Sequence, residues 1–534
     1  MTSLNSPALA GPVQFDTVIY GAPPLAYPAP LIQYVIYNTP DPAYVTGRIN
    51  VSAFANLGGG TPWPFLNTNV PLNGHVCVPR GRGPFPLAVF AHGNHNPLEN
   101  STPGYLYLCQ LLASHGIIAA TIDVNFLNGF NFGENDGRAI VHLEHLKQFR
   151  TWNNTATHPL HGKVDLNRIL IVGHSRGGEA VGHASFFNRL ASVGGVVLNG
   201  AGPFFLGPYR FGLTAAAAIA PTDQQFVPVT GPTVVPDSYF IIHGSQDGDV
   251  FDFQGYHTYE RAHAVDLANP TVSDGKFKAM LWVHKANHNQ FNSVWLPEIA
   301  AMPRASQEQI AKVHLGALAQ AVLLDRPEYL EVLRDHGAAV AWDPAGTEFV
   351  SQYQDPTRIF VQHNQEGIVA PVVSLPVQGT VAADGVVATR ALTALVGGIP
   401  TTTITLRLAW NVLGSRLLLR VDPSTLPAER YRTLALRVGQ STEAGNLANR
   451  DQDFTLEVSS GSHTAAFPAS CLHRLLFPDP PPFGPAKIMM QTLRLPTERL
   501  LECGVDPIDL RSVALVFDRR STGVLYVGDL QFSN

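Results

Sequence analysis

One stretch constrains this chain more than any other: Ile169-Leu170-Ile171-Val172-Gly173-His174-Ser175-Arg176-Gly177-Gly178-Glu179-Ala180. Four β-prone apolar residues run into Gly-x-Ser-x-Gly, and a helix-forming segment follows. A wholly apolar strand is covered on both faces, as in a parallel sheet flanked by helices. Gly173 and Gly177, two residues either side of the serine, remove the Cβ atoms that would block so tight a turn. The pattern therefore predicts strand, sharp turn and helix, with the Ser175 hydroxyl raised at the C-terminal edge of the sheet.

The surroundings fit that frame. Residues 86–91, 117–122, 193–198, 239–242 and 279–283 read as further buried strands. Residues 105–114, 138–152, 176 to about 190, 306–324 and 327–336 read as helices, the first stopped by Gly116. Strands alternating with helices predict an α/β fold with a mostly parallel central sheet. Upstream, residues 31–37 and 48–54 are expected as antiparallel edge strands, with 75–78 as another. Residues 200–237, rich in Phe, Pro and Ala, read as a lid-like insert far longer than an ordinary connection. After Trp342 the helical period stops. Short alternating segments at 403–408, 416–421, 433–438, 454–458, 513–517 and 524–527 predict an all-β sandwich, jelly-roll-like, with domains at 1–345 and 346–534.

Composition excludes several classes. With 534 residues, 45% hydrophobic and 14% charged, the chain can bury more than one core. The formal net charge of −6, with no basic block, argues against nucleic acid as a partner. No apolar run suggests a transmembrane segment. Residues 1–12 lack a basic start and a long apolar core, so no signal peptide is visible. The low charge with abundant Pro, Gly, Asn and Thr leans toward a secreted or periplasmic protein. Cys77 and Cys109 lie early, Cys471 and Cys503 late. One disulfide per domain and four free thiols are both open.

A serine hydroxyl is a poor nucleophile until a base takes its proton. On such a sheet the expected order is serine, acid, histidine. After the strand at 239–242, the loop carries Asp247, Asp249 and Asp252. Asp247 is preferred as the acid, with Val250 as an apolar anchor three residues on. After the strand at 279–283 come His284 and His288. His288, out in the polar loop, is preferred as the base, and His284 reads as a strand-end residue. The oxyanion donors expected are the backbone amides of Arg176 and of Asn94, with Gly93 or His95 as alternatives, in the His92-Gly93-Asn94-His95 loop after the strand at 86–91. Arg176 and Glu179 are expected to pair as a structural salt bridge. Arg138, His142 and His145 read as a polar helix face without metal spacing. Asp123, Asn125 and Asn128 either line the cleft or cap turns.

These motifs, in this order over about residues 86–324, resemble the α/β-hydrolase-fold serine hydrolases, most closely the bacterial esterase, lipase and polyester-hydrolase branch. The resemblance implies a carboxylic-ester hydrolase with the catalytic triad Ser175, Asp247 and His288, no cofactor and no metal. It implies a small-molecule or polymeric ester as substrate. An amidase, peptidase or thioesterase using the same triad, and an inactive binding protein, stand as alternatives. Arg176 departs from the small or Met residue common in many lipases. The C-terminal β-region reads as a carbohydrate- or polymer-binding module, against which the expected lack of an exposed tryptophan platform counts, or equally as a docking partner that shapes the active site or a stabilising appendage.

Overall fold

The computed structural model describes residues 4–129, 134–195, 204–225, 235–262, 276–298, 302–355, 358–362, 381–395, 399–425, 431–461 and 463–534. The chain divides into two compact units, 1–262 with 283–347, and 263–282 with 348–534.

The first unit is built on a mostly parallel sheet. Its strands are β1 (Phe15–Tyr20), β4 (Gly74–Pro79), β5 (Phe85–Ala91), β6 (Ile118–Ile122), β7 (Val164–His174), β10 (Leu213–Ile219) and β11 (Ser238–Gly244). They lie in the order β1-β4-β6-β5-β7-β10-β11. Pairing is parallel from β6 through β5, β7 and β10 to β11, and antiparallel for β1–β4 and β4–β6. The helices are α1 (Leu106–Ser114), α2 (Glu134–Asn154), α3 (Arg176–Phe187), α4 (Gly255–Arg261), α5 (Arg304–Leu323) and α6 (Leu330–Arg334). Helices α2 and α3 pack together, as do α1 and α5, and β7 is touched by α2, α3 and α5. That enclosure explains why Ile169, Leu170, Ile171 and Val172 are all buried whichever way they point.

Three expectations need correction. Residues 31–37 are not a strand but part of a 3-10 helix, Ala29–Asn38, begun by Pro28-Ala29-Pro30. The buried residues Leu31, Tyr34 and Tyr37 recur every third position, the period of a 3-10 turn, and hydrogen bonds from the Tyr34 hydroxyl to the Pro97 and Glu99 carbonyls hold it down. Of residues 48–54 only β2 (Arg48–Ile49) pairs, with β3 (Val70–Pro71); turns take the rest. The strand at 193–198 does not enter the sheet. Instead β8 (Val193–Gly195) forms a two-stranded ribbon with β9 (Phe204–Leu206), and 196–198 lie outside the described residues.

The supposed insert supplies the missing sheet strand. β10, Leu-Thr-Ala-Ala-Ala-Ala-Ile, lies between β7 and β11. Alanine is depleted in strands, so the segment carries no strand signal of its own. Pairing on both edges makes it one, and its small side chains let α3 pack down on it. Residues 200–203 and 226–234 of the expected insert lie outside the described residues.

In the second unit, β12 (Lys278–Val283) lies beside β13 (Phe349–Gln354). Two antiparallel sheets follow. One runs β16 (Val386–Leu395), β17 (Ile399–Trp410), β24 (Gly523–Ser533), β19 (Thr433–Gln440), β22 (Gln491–Pro496), with β14 (Arg358–Gln362) on β24. The other runs β15 (Val381–Asp384), β18 (Ser415–Arg420), β23 (Leu510–Phe517), β20 (Thr455–Ser460), β21 (His463–Pro468). Leu408, Leu436 and Leu525 from the first share one apolar core with Leu417, Leu456 and Leu515 from the second. Trp410 is buried there, stacked on Phe517 at 4.0 Å. All four cysteines are free thiols, Cys77 and Cys109 buried, Cys471 and Cys503 exposed. No helix among the described residues is long and apolar enough to cross a membrane.

Candidate active site

Sheet register brings the loops together. Ala91 of β5 stands opposite Gly173 of β7, and Ile219 of β10 opposite both His174 and Ile242 of β11. The chain leaves four parallel strands at one edge, so the residues just beyond them share one neighbourhood.

Ser175 sits at φ 57° and ψ −125°, outside the basins that L-residues prefer. Its amide donates to the Ile219 carbonyl at 2.8 Å, and its carbonyl accepts from Gly178 and Glu179 as α3 begins. A Cβ on Gly173 would meet the Gly177 carbonyl oxygen at 1.9 Å, so the turn closes only with glycine there. A Cβ on Gly93 would stand 2.4 Å from Ser175 Cβ and 3.0 Å from Oγ, which places the Gly93 backbone directly against the serine. Among the described residues, the amides of Gly93 and Asn94 donate no hydrogen bond.

Asp247 and His288 form a buried pair, with Nδ1 and Oδ2 2.8 Å apart. The other oxygen of Asp247 accepts from the amides of Asp249 at 2.9 Å and Val250 at 2.6 Å, and buried Val250 anchors the turn. Gln246 donates to the Ala286 carbonyl at 2.8 Å and so ties the acid loop to the histidine loop. Burial works against charge on Asp247, yet His288 and His243 hold its carboxyl well below the usual carboxylate range. Burial likewise disfavours the imidazolium of His288, but the Asp247 carboxylate outweighs it and raises the imidazole above its ordinary 6.5. Asp249 is exposed, with Oδ2 3.5 Å from His288 Nε2. Nε2 is buried and makes no hydrogen bond to a described residue, and the bond between it and Ser175 Oγ is not formed. Asp252 instead accepts from Gln254 at 2.9 Å, and His284 is buried just after Val283.

The chain matches no known family model and no curated protein. Its site therefore stands on geometry, and the geometry holds groups that sequence reasoning passed over. His243, four residues before Asp247, places Nε2 3.1 Å from the same carboxylate oxygen as His288; the His-x-x-x-Asp spacing was its only signal. Trp295 stacks on His95 at 4.8 Å and lies parallel to His288 at 6.2 Å. Glu298 accepts from the His288 amide at 2.8 Å.

Arg176 does not pair with Glu179. Its guanidinium bonds Glu134 at 2.8 Å and the Gly129 carbonyl and Gln225 at 3.0 Å each. Glu179 turns the other way and accepts from Asn135 and Thr222, both at 2.7 Å. Sequence proximity suggested a pair, but the helix start at Arg176 aims the two side chains at different neighbours. Nor is 138–145 a solvated face: Arg138, His142 and His145 are wholly buried. Arg138 bonds Glu134 and Asn128, and His145 meets the Tyr20 hydroxyl at 3.0 Å. Asp123, Asn125 and Asn128 form a buried turn network, with Asp123 accepting from the Asn125 amide at 2.9 Å.

Proposed function

We propose that this chain is a serine hydrolase of carboxylic esters on an α/β-hydrolase-like fold, working without a cofactor. The observation that carries the reading is Ser175 in a strained strand-to-helix turn, with the Gly93 backbone against its Oγ. The buried Asp247–His288 pair lies in the same unit as Ser175. The mostly parallel sheet and the serine–acid–histidine order support it.

In this mechanism Ser175 Oγ attacks the ester carbonyl while His288 Nε2 takes its proton. Asp247 fixes the ring through Nδ1 and stabilises the imidazolium. The amides of Arg176 and Asn94, with Gly93 beside them, receive the oxyanion. His288 then gives the proton to the departing alcohol oxygen, and water releases the acid from the acyl-enzyme. Substrate binding draws Ser175 and His288 into contact; catalytic hydrogen bonds commonly tighten only in the bound complex.

Ser175→Ala should abolish both turnover of p-nitrophenyl esters and covalent labelling by a fluorophosphonate. Stoichiometric labelling of the mutant at the same site would overturn the assignment of Ser175.

A further inference from the structure

A cleft of about 510 Å³ opens beside His288, and its chemistry bears on the substrate. Its described lining includes Asn94, His95, Asn96, Asp249, Asn289 and Glu298, and the only apolar side chain there is Pro97. Asp249 links this cleft to Nε2, the atom that protonates the leaving group in the mechanism above. The cleft therefore takes the alcohol part of the ester.

Hydrogen bonds within the wall fix what each side chain still offers. Asn94 Oδ1 accepts from the Gly129 amide at 2.6 Å, and Asn96 Oδ1 from the Leu98 amide at 3.0 Å, so both present their NH2 groups as donors. Asn289 is turned the other way. Its Nδ2 donates to the Leu296 carbonyl at 3.0 Å, which leaves its oxygen as an acceptor, alongside the exposed Asp249 carboxylate. Glu298 is taken up by the His288 amide, and burial raises its carboxyl above the ordinary value. The cleft thus sets two amide donors among acceptors. A hydrocarbon chain would strip water from all of them and return no hydrogen bond. A cationic alcohol would satisfy Asp249 but oppose the two NH2 groups. A hydroxyl both donates and accepts, and an array of hydroxyls matches this wall.

Resting on the hydrolase reading, we propose that the substrate is an acyl ester of a polyhydroxylated alcohol, of the carbohydrate class. Ser175 Oγ bonds to the acyl carbon, and the bond from that carbon to the sugar oxygen breaks. The serine proton passes through His288 to that oxygen, and water then frees the carboxylic acid.

The test compares acetates that share an acyl group: a mono-acetylated methyl glycoside, octyl acetate and acetylcholine, with acetic acid release as the readout. The glycoside ester should show kcat/KM at least about tenfold above the other two. Asn96→Leu should cut that preference by about tenfold, since a wall that hydrogen-bonds a hydroxyl discriminates through the lost bond. Asn96 is exposed, and an unchanged Tm would confirm that the variant folds. Preference for octyl acetate or acetylcholine, no effect of Asn96→Leu on the preference, or no acetate hydrolysed by a protein that fluorophosphonate labels at Ser175 would each overturn the substrate class alone. No labelling of the wild type would overturn the hydrolase reading, and the substrate class with it.

Discussion

At the scale of single residues, the neighbours of His288 favour its charged form, whereas the proposed mechanism needs it neutral. Its raised pKa has the Asp247 carboxylate as its chief cause, with Asp249 adding to it. The base in the proposed mechanism works only when deprotonated, so kcat/KM should rise with pH through a limb lying above pH 6.5. Asp249→Asn removes one of the three carboxylates that raise the His288 pKa, Asp247, Asp249 and Glu298, and should move that limb to lower pH, read from the pH–rate profile; a limb that stays put would remove Asp249 from the account. Stability runs the other way. A pKa raised on folding contributes fully below the unfolded value near 6.5 and is lost as pH climbs through the folded one. Asp247, depressed on folding, contributes above its unfolded value and loses that contribution as pH falls through the folded one. The pair thus supports the fold best between the two unfolded values, below the pH at which it is expected to be most active. Gly93 is the other residue-scale constraint. Gly93→Ala drives a methyl to 2.4 Å from Ser175 Cβ and displaces the loop that carries the expected donors. We expect a loss of about 10²–10³ in kcat, the order found when an oxyanion donor is removed, with circular dichroism unchanged.

At the scale of elements, the serine turn is held by a buried ionic seam between α2 and α3. Glu134 Oε1 lies 3.1 Å from Arg138 and 2.8 Å from Arg176, and all three side chains are buried. One turn further along, His183 sits between Asp136 at 3.2 Å and Glu179 at 3.5 Å. Burial opposes its charge, but the two carboxylates raise it to about 9. Replacing such a seam outright by apolar residues could be neutral, whereas removing one partner leaves uncompensated buried charge. Glu134→Gln should therefore cost about 3–5 kcal/mol of stability in urea unfolding. A cost below about 1 kcal/mol would mean that the two guanidinium groups find other acceptors. The same seam explains why an arginine follows the serine: its guanidinium fixes the start of α3 against α2.

At the scale of the whole molecule, each unit has its own basis for stability. The first has a sheet covered by helices, and the second has two antiparallel sheets closing on one apolar core. Leu515, wholly buried on β23, sits in that second core. Leu515→Ala should cost about 2–5 kcal/mol through lost transfer energy and the cavity left behind, measured by denaturant unfolding. The buried parallel strands and the long helices were legible because apolar runs and helical periods report burial directly. Ala91, Gly173 and Ile242 close such runs, and the loops that follow were read at the right places. β10 was illegible because four alanines carry no strand preference, and pairing with β7 and β11 decides the matter. The 3-10 helix at 29–38 was read as a strand because Leu, Ile, Tyr and Val are β-prone, while the spacing of Leu31, Tyr34 and Tyr37 and the prolines before them favour a turn. By itself the sequence singled out Ser175, Asp247 and His288 as candidates and the strands that they follow, since local period, glycine and loop polarity are local properties. Only the tertiary structure decided that Arg176 meets Glu134, that Asp247 is shared by two histidines, and that the cleft beside His288 is polar. Apart from His243 with Asp247, those contacts join residues far apart in the chain, and their energies depend on distances that exist only after the sheet has set its register.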